Sequence, residues 1–128
     1  VHCYHPDWKL RIADCTAANG LHGRLALGAP VALRDLPELE RALPKLEVVL
    51  MKGGRLIDRG VGANVLGSPL LALGHLVGAL AAHPAHALRP GEIVTTGTIT
   101  DAYPVAAGET WTTEFSGIAL PGLSVTFQ

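Results

Sequence analysis

Six histidines and two cysteines are the residues best able to hold a metal or move a proton. Their spacing decides what they can do. His2, Cys3, His5 and Cys15 offer donor atoms that suit a tetrahedral zinc ion. They include no Cys-x-x-Cys pair, however, and neighbours such as His2 and Cys3 on a strand point to opposite faces. Zinc is not expected there. His83 and His86 have helical spacing but flank Pro84, so they read as surface histidines. His75 lies in an apolar helical stretch and reads as a satisfied core or interface histidine rather than a ligand. Glu38 and Glu40 look like paired carboxylates, yet residues two apart on a helix do not face each other. No GxSxG, Walker or GxGxxG pattern occurs, so nothing local supports acyl-serine or nucleotide chemistry.

Two segments are more suggestive. Gly60-Val-Gly-Ala-Asn-Val-Leu-Gly-Ser-Pro69 is a glycine-dense turn feeding a helix start, where free backbone N–H groups can hold an anion such as a carboxylate. Arg89-Pro-Gly-Glu-Ile-Val-Thr-Thr-Gly-Thr98 reads as a strand ending in Thr-Gly-Thr, which lets backbone and hydroxyls approach a small polar ligand. On spacing alone, a tight turn is the favoured reading of each.

The elements that must position these segments follow from the pattern. Val1 to Tyr4 reads as a strand running into a turn at His5-Pro6-Asp7. Ile12 to Leu21 has helical composition and stops at Asn19-Gly20. Leu25 to Leu33 is extended, broken at Ala29-Pro30. Asp35 can cap a short helix with Glu38 completing a capping box, and Pro44 ends that helix. Leu46 to Met51 and Leu56 to Val61 pair as a hairpin across Lys52-Gly53-Gly54-Arg55. Ser68 and Pro69 open the best helix, whose apolar positions 70, 73, 76, 77 and 80 share a face and which ends at His83-Pro84. Strands are expected over 92–98, 110–118 and 123–127. The fold class is therefore α+β, a mostly antiparallel or mixed sheet closing as a roll or sandwich, with one longer and two short helices.

Composition narrows the partners. A chain of 128 residues is one domain, 1–128, and 48% hydrophobic against 16% charged residues excludes a disordered tail. A net charge of −1 provides no basic field for nucleic acid and no polybasic patch for a membrane. Two each of Trp, Tyr and Phe leave little to stack RNA bases on. Two cysteines suggest a reducing compartment, the cytoplasm, and no signal-peptide pattern opens the chain. The apolar run from Leu70 to Ala82 is too short to span a bilayer. So much apolar surface on so short a chain predicts a homo-oligomer.

Gly-Ala-Asn-Val-Leu-Gly-Ser-Pro at 62–69 and Leu-Arg-Pro-Gly-Glu-Ile-Val-Thr-Thr-Gly-Thr at 88–98 resemble the 2-keto-4-pentenoate hydratase and 4-oxalocrotonate decarboxylase branch of the fumarylacetoacetate hydrolase superfamily. Asp7-Trp8-Lys9, Asp14 to Asn19, Leu27-Gly28, Pro104-Val105 and Gly108-Glu109 match that branch in order, so the resemblance covers essentially the whole chain. It implies a mixed β-roll and a lyase, hydratase or decarboxylase, acting on a small 2-oxo or 2-hydroxydienoic acid from aromatic breakdown. It also implies Mg²⁺ or Mn²⁺, which polarises the ketone and stabilises an enolate. Thr98 would bind the substrate carboxylate, with Thr96 and Gly97 beside it. Asn19 matches a polar position near the pocket, and His22 is a pocket residue peculiar to this sequence. The family's Glu-x-Glu pair, third Glu and catalytic Lys have no counterpart in these residues, so the resemblance is to a C-terminal part lacking its upstream metal-binding segment. The usual Asp-Asn-Ala-Ser-Ser run reads Ala18-Asn19-Gly20-Leu21-His22 here. A C–C hydrolase of acylpyruvate-type substrates, and a non-catalytic fragment or binding module, are the alternatives.

Overall fold

A valine on one strand, Val48, and a tryptophan on its neighbour, Trp111, are buried on a shared face of a sheet. The computed structural model describes every residue except Cys3 and Pro6. Strand β1 (Glu47–Lys52) turns into β2 (Arg55–Val61) through Gly53 and Gly54, whose φ of 55° and 78° suit the primed turns that match strand twist. Strand β3 (Thr110–Ser116) pairs with the other side of β1, and β4 (Ser124–Thr126) pairs with β3. The sheet order is β2-β1-β3-β4, antiparallel at every pairing. The α+β class therefore stands. The mixed sheet does not, and with β2 and β4 as free edges the sheet does not close into a roll within the described residues.

In register, Val48 faces Gly60 and Phe115, while Leu50 faces Asp58 and Thr113. Val48 and Trp111 on this face are buried, as are Leu36, Leu46 and Val65 outside the strands.

Three helices accompany the sheet. Helix α1 (Ile12–Ala17) begins where the Asp14 carboxylate accepts the Arg11 N–H at 2.9 Å, and it gives way to a 3-10 turn at Asn19–Leu21. The helix expected over 12–21 is thus split at Ala18, and Asn19, Gly20 and Leu21 all take positive φ. Helix α2 (Leu39–Ala42) is brief and ends in a 3-10 turn containing Pro44. The Asp35–Glu38 capping box does not form. Pro37 disfavours helical backbone at Leu36, which sits at φ −118°, ψ 84°, and Glu38 enters α2 with φ 53°. Helix α3 (Pro69–Leu80) is the long one, with the buried Ser68 hydroxyl accepting the Leu70 N–H at 3.3 Å and Pro69 in the first turn.

Two expected strands are absent. The described residues of 1–4 form none, Cys3 lying outside the description. His2 makes one backbone bond, its N–H to the Leu21 carbonyl at 2.8 Å, which is no ladder. Residues 92–98 are not a strand either: none of them enters a ladder, and side-chain bonds to this stretch of chain begin only at Ile99 and Asp101. Residues 25–33 run without strand or helix until a 3-10 turn at Leu33–Asp35.

The run Gly62–Leu80 is 19 residues long with mean hydropathy 1.5, the length and composition of a possible membrane span. Its α-helical part is only the 12 residues of α3. That is about 18 Å of axis, against a hydrocarbon core of about 30 Å. Leu66 and Gly67, with φ of 49° and 84°, also turn the backbone out of helix before α3 begins.

Candidate functional site

The free edge of β2 positions the Thr-Gly-Thr segment. Gly60 on β2 lies so close to the Ile99 carbonyl that a Cβ at position 60 would fall onto its oxygen. Asn64, in the 3-10 turn Gly62–Asn64 that follows β2, donates its Nδ2–H to the same carbonyl at 2.9 Å. Asp58 accepts the Asp101 N–H at 3.0 Å on Oδ2 and the Arg59 N–H at 2.7 Å on Oδ1. Chain 99–101 is thus held at consecutive peptide groups. Upstream, Gly97 passes over Val65, near enough that a Cβ there would only touch the valine at 3.7 Å. The two segments singled out in the sequence, 60–69 and 89–98, therefore meet. Thr96, Gly97 and Thr98 are themselves exposed.

Electrostatics reinforce this edge. The Asp101 N–H, then the Arg59 N–H and the Tyr103 hydroxyl, hold the Asp58 carboxyl below its usual range. Desolvation, then the neighbouring Asp58, push the Tyr103 phenol up. The Tyr103 ring lies 6.2 Å from that of Trp111, tilted by 30°. Trp111 donates its indole N–H to Glu109 Oε2 at 3.0 Å, and Lys52 pairs with the other carboxylate oxygen. Lys52, followed by Trp111, lowers the Glu109 carboxyl. Asp58 and Tyr103 carry no motif in the sequence, and Glu109 enters there only through the Gly108-Glu109 match. The available signal was a carboxylate on a strand position that alternation assigns to the apolar face.

The anion site expected at 60–69 gives way to the tight-turn reading. The N–H groups of Val65, Gly67, Ser68 and Leu70 bond to Gly62, Ala63, Val65 and the Ser68 side chain. The turn uses these N–H groups itself.

Asn19 and His22 stand elsewhere. Both are exposed and line an open hollow of about 460 Å³ with Tyr4, His5, Asp14 and Leu21. A neighbouring hollow of about 510 Å³ takes Asn19 with Leu10, Ile12 and Cys15. Thr96, Gly97 and Thr98 line neither, so the structure leaves the sequence's candidate residues in two groups. His83 and His86 are exposed, their rings 6.3 Å apart and edge-on, and Glu38 and Glu40 are exposed as well. His75 is exposed on α3, not a core residue. Among the described residues, no three His, Cys, Asp or Glu side chains are grouped to hold a metal ion.

No protein-family model matches the chain. A 4-oxalocrotonate decarboxylase of Pseudomonas sp. (strain CF600) is 32% identical over 114 residues, 89% of this chain and 41% of that enzyme. A 2-keto-4-pentenoate hydratase of Paraburkholderia phymatum is 33% identical over 113 residues, 88% of this chain and 41% of that enzyme. The chain is a homologue of these hydratases and decarboxylases. It spans about two fifths of the length of the curated relatives it matches. Among solved structures, 4-oxalocrotonate decarboxylase from Pseudomonas putida G7, complexed with calcium and acetate, is similar with a TM-score of 0.52 and 35% identity, over 70% of this chain and 33% of that one. The same enzyme complexed with magnesium and adipate matches equally.

Proposed function

We propose that this chain supplies the substrate-carboxylate site of a lyase, a hydratase or decarboxylase in aromatic-compound breakdown that acts on a small 2-oxo or 2-hydroxydienoic acid. Hydration of a dienoate and decarboxylation of a vinylogous oxo acid share an enolate intermediate, so one scaffold serves both. Homologues of both kinds support the reading, and the solved neighbour was captured with carboxylates, acetate and adipate. The observation that carries it is the placement of Thr96-Gly97-Thr98: exposed hydroxyls on a segment anchored one residue later at Ile99. There the Thr98 hydroxyl donates to the carboxylate, Thr96 flanks it, and Gly97 leaves the ligand room to approach. Asn19 and His22 would meet the far end of a substrate only from another wall. The Mg²⁺ or Mn²⁺ that the resemblance implies would be held by residues outside these, since the described residues group no metal ligands; the solved neighbours complexed with calcium and magnesium support a divalent ion, and the role of Thr98 does not run through it. In this reading the enzyme is a cytoplasmic homo-oligomer whose partner is a small acid rather than nucleic acid or membrane.

The test is Thr98→Val, which keeps the shape and removes the donor. A lost hydrogen bond to a charged group costs about 1.5–3 kcal/mol, about ten- to a hundred-fold in kcat/KM. Thr95→Val, farther from the Ile99 anchor, should be much milder. Steady-state kinetics that show equal losses, or no loss for Thr98→Val, place the carboxylate elsewhere.

A further inference from the structure

We infer that Asn64 and Asp58 are positioning residues for substrate binding: they clamp Ile99–Asp101 to the edge of β2 and thereby set where Thr98 stands. This inference rests on the assignment of Thr98 above and adds the residues that make it possible.

The need for a clamp comes from the fold. After the turn in which Arg89 and Glu92 bond to each other, residues 93–98 enter no backbone hydrogen bond among the described residues, and no sheet partner holds them. A threonine on such a segment can bind a carboxylate specifically only if the chain beside it is fixed. Fixation begins at the next residue. The Ile99 carbonyl belongs to the peptide plane joining 99 and 100, and Asn64 binds it. The Asp101 N–H belongs to the plane joining 100 and 101, and Asp58 binds it. Two consecutive planes held at opposite polarity fix the dihedrals of Thr100 and the position of the Ile99 Cα, which confines the Thr98 Cα to a shell about 3.8 Å from it.

The chemistry of each holder is specific. Asn64 faces a carbonyl and must donate, so a carboxylate there would set acceptor against acceptor. Asp58 faces two N–H groups and must accept with both oxygens, so an amide would turn its NH₂ toward one of them. Gly60 completes the arrangement by leaving room for the Ile99 oxygen. The Asn of the 62–69 motif thus serves the Thr of the 88–98 motif, 35 residues later counted from Asn64 to Ile99.

Asn64→Asp and Asp58→Asn keep side-chain size and reverse or remove the required polarity. Each should be made alone and with Thr98→Val in the enzyme carrying this sequence, with 2-keto-4-pentenoate and 4-oxalocrotonate as probes. Each single change should lower kcat/KM about ten-fold or more, because a small misplacement of a binding group is that costly. On the Thr98→Val background the further loss should shrink to less than about two-fold, since a clamp acts only through the group it places. A merely structural role would instead give losses that multiply, and that result overturns the inference. A silent Asn64→Asp beside a costly Thr98→Val overturns the clamp and leaves the Thr98 assignment standing. A costly Asn64→Asp beside a silent Thr98→Val overturns the Thr98 assignment, and the clamp with it. Should either variant fail to fold, the other carries the same cycle.

Discussion

Asp58 accepts from two backbone N–H groups, and its response to acid follows from that. Its folded pKa lies below the ordinary 3.8, so its stabilising contribution is complete above that value and disappears as pH falls through the lowered one. Glu109, lowered from 4.5 by Lys52 and Trp111, follows the same sign over a window that opens slightly higher. Urea unfolding across the acidic range should therefore show stability falling below about pH 4.5, with Asp58→Asn and Glu109→Gln each flattening part of the slope. A wild-type slope retained in both variants would show that these carboxylates do not drive the acid response. Gly60 makes the complementary steric point. Gly60→Ala must displace the Ile99 carbonyl, and overpacking of this kind typically costs about 1–3 kcal/mol. Thermal unfolding of that variant measures it.

Single local devices decide most elements. Helix α3 begins where Ser68 caps it and Pro69 presets φ, and both residues are visible in the sequence. Ser68→Ala should cost about 1 kcal/mol, read as a lowered unfolding midpoint, with the larger share expected because the hydroxyl is buried. An unchanged midpoint would mean that the cap is not formed in solution. The hairpin follows equally from Gly53-Gly54 and the flanking alternation. Helix α2 shows the opposite case, where Asp35 and Glu38 have capping spacing but Pro37 excludes helix between them.

At the scale of the molecule, the core is small for the chain. The accessible surface is 9623 Å², against about 6,500 Å² for a compact monomer of this mass. Large apolar side chains contribute to it: Leu71 and Val77 on α3 are 58% and 52% exposed, and no residue of α3 is buried. Gly74 and Gly78 leave open space on the same helix. Such surface calls for cover, and sedimentation velocity over micromolar concentrations should show dimers or larger species. One monomeric species throughout that range would count against the oligomer.

What local chemistry governs was legible without coordinates. The hairpin, the start of α3, β3 and the α+β class each depend on residues within a few positions of one another, as do the two motifs at 60–69 and 88–98. Strand expectations failed where an element needs a distant partner. Residues 92–98 are rich in Ile, Val and Thr as a strand should be, but a strand exists only where a neighbour offers a ladder, and here the side chains of Asn64 and Asp58 take Ile99 and Asp101 instead. Asn19 and His22 line a hollow with Tyr4, His5 and Asp14, a grouping that their types alone do not show. Asn64 is the clearest division between the two kinds of information. Its type and its place in the motif can be read from the chain, but its partner, the carbonyl 35 residues on, is set by the path of the backbone past β2. Hydrogen bonds of that kind depend on three-dimensional proximity, which no local pattern encodes.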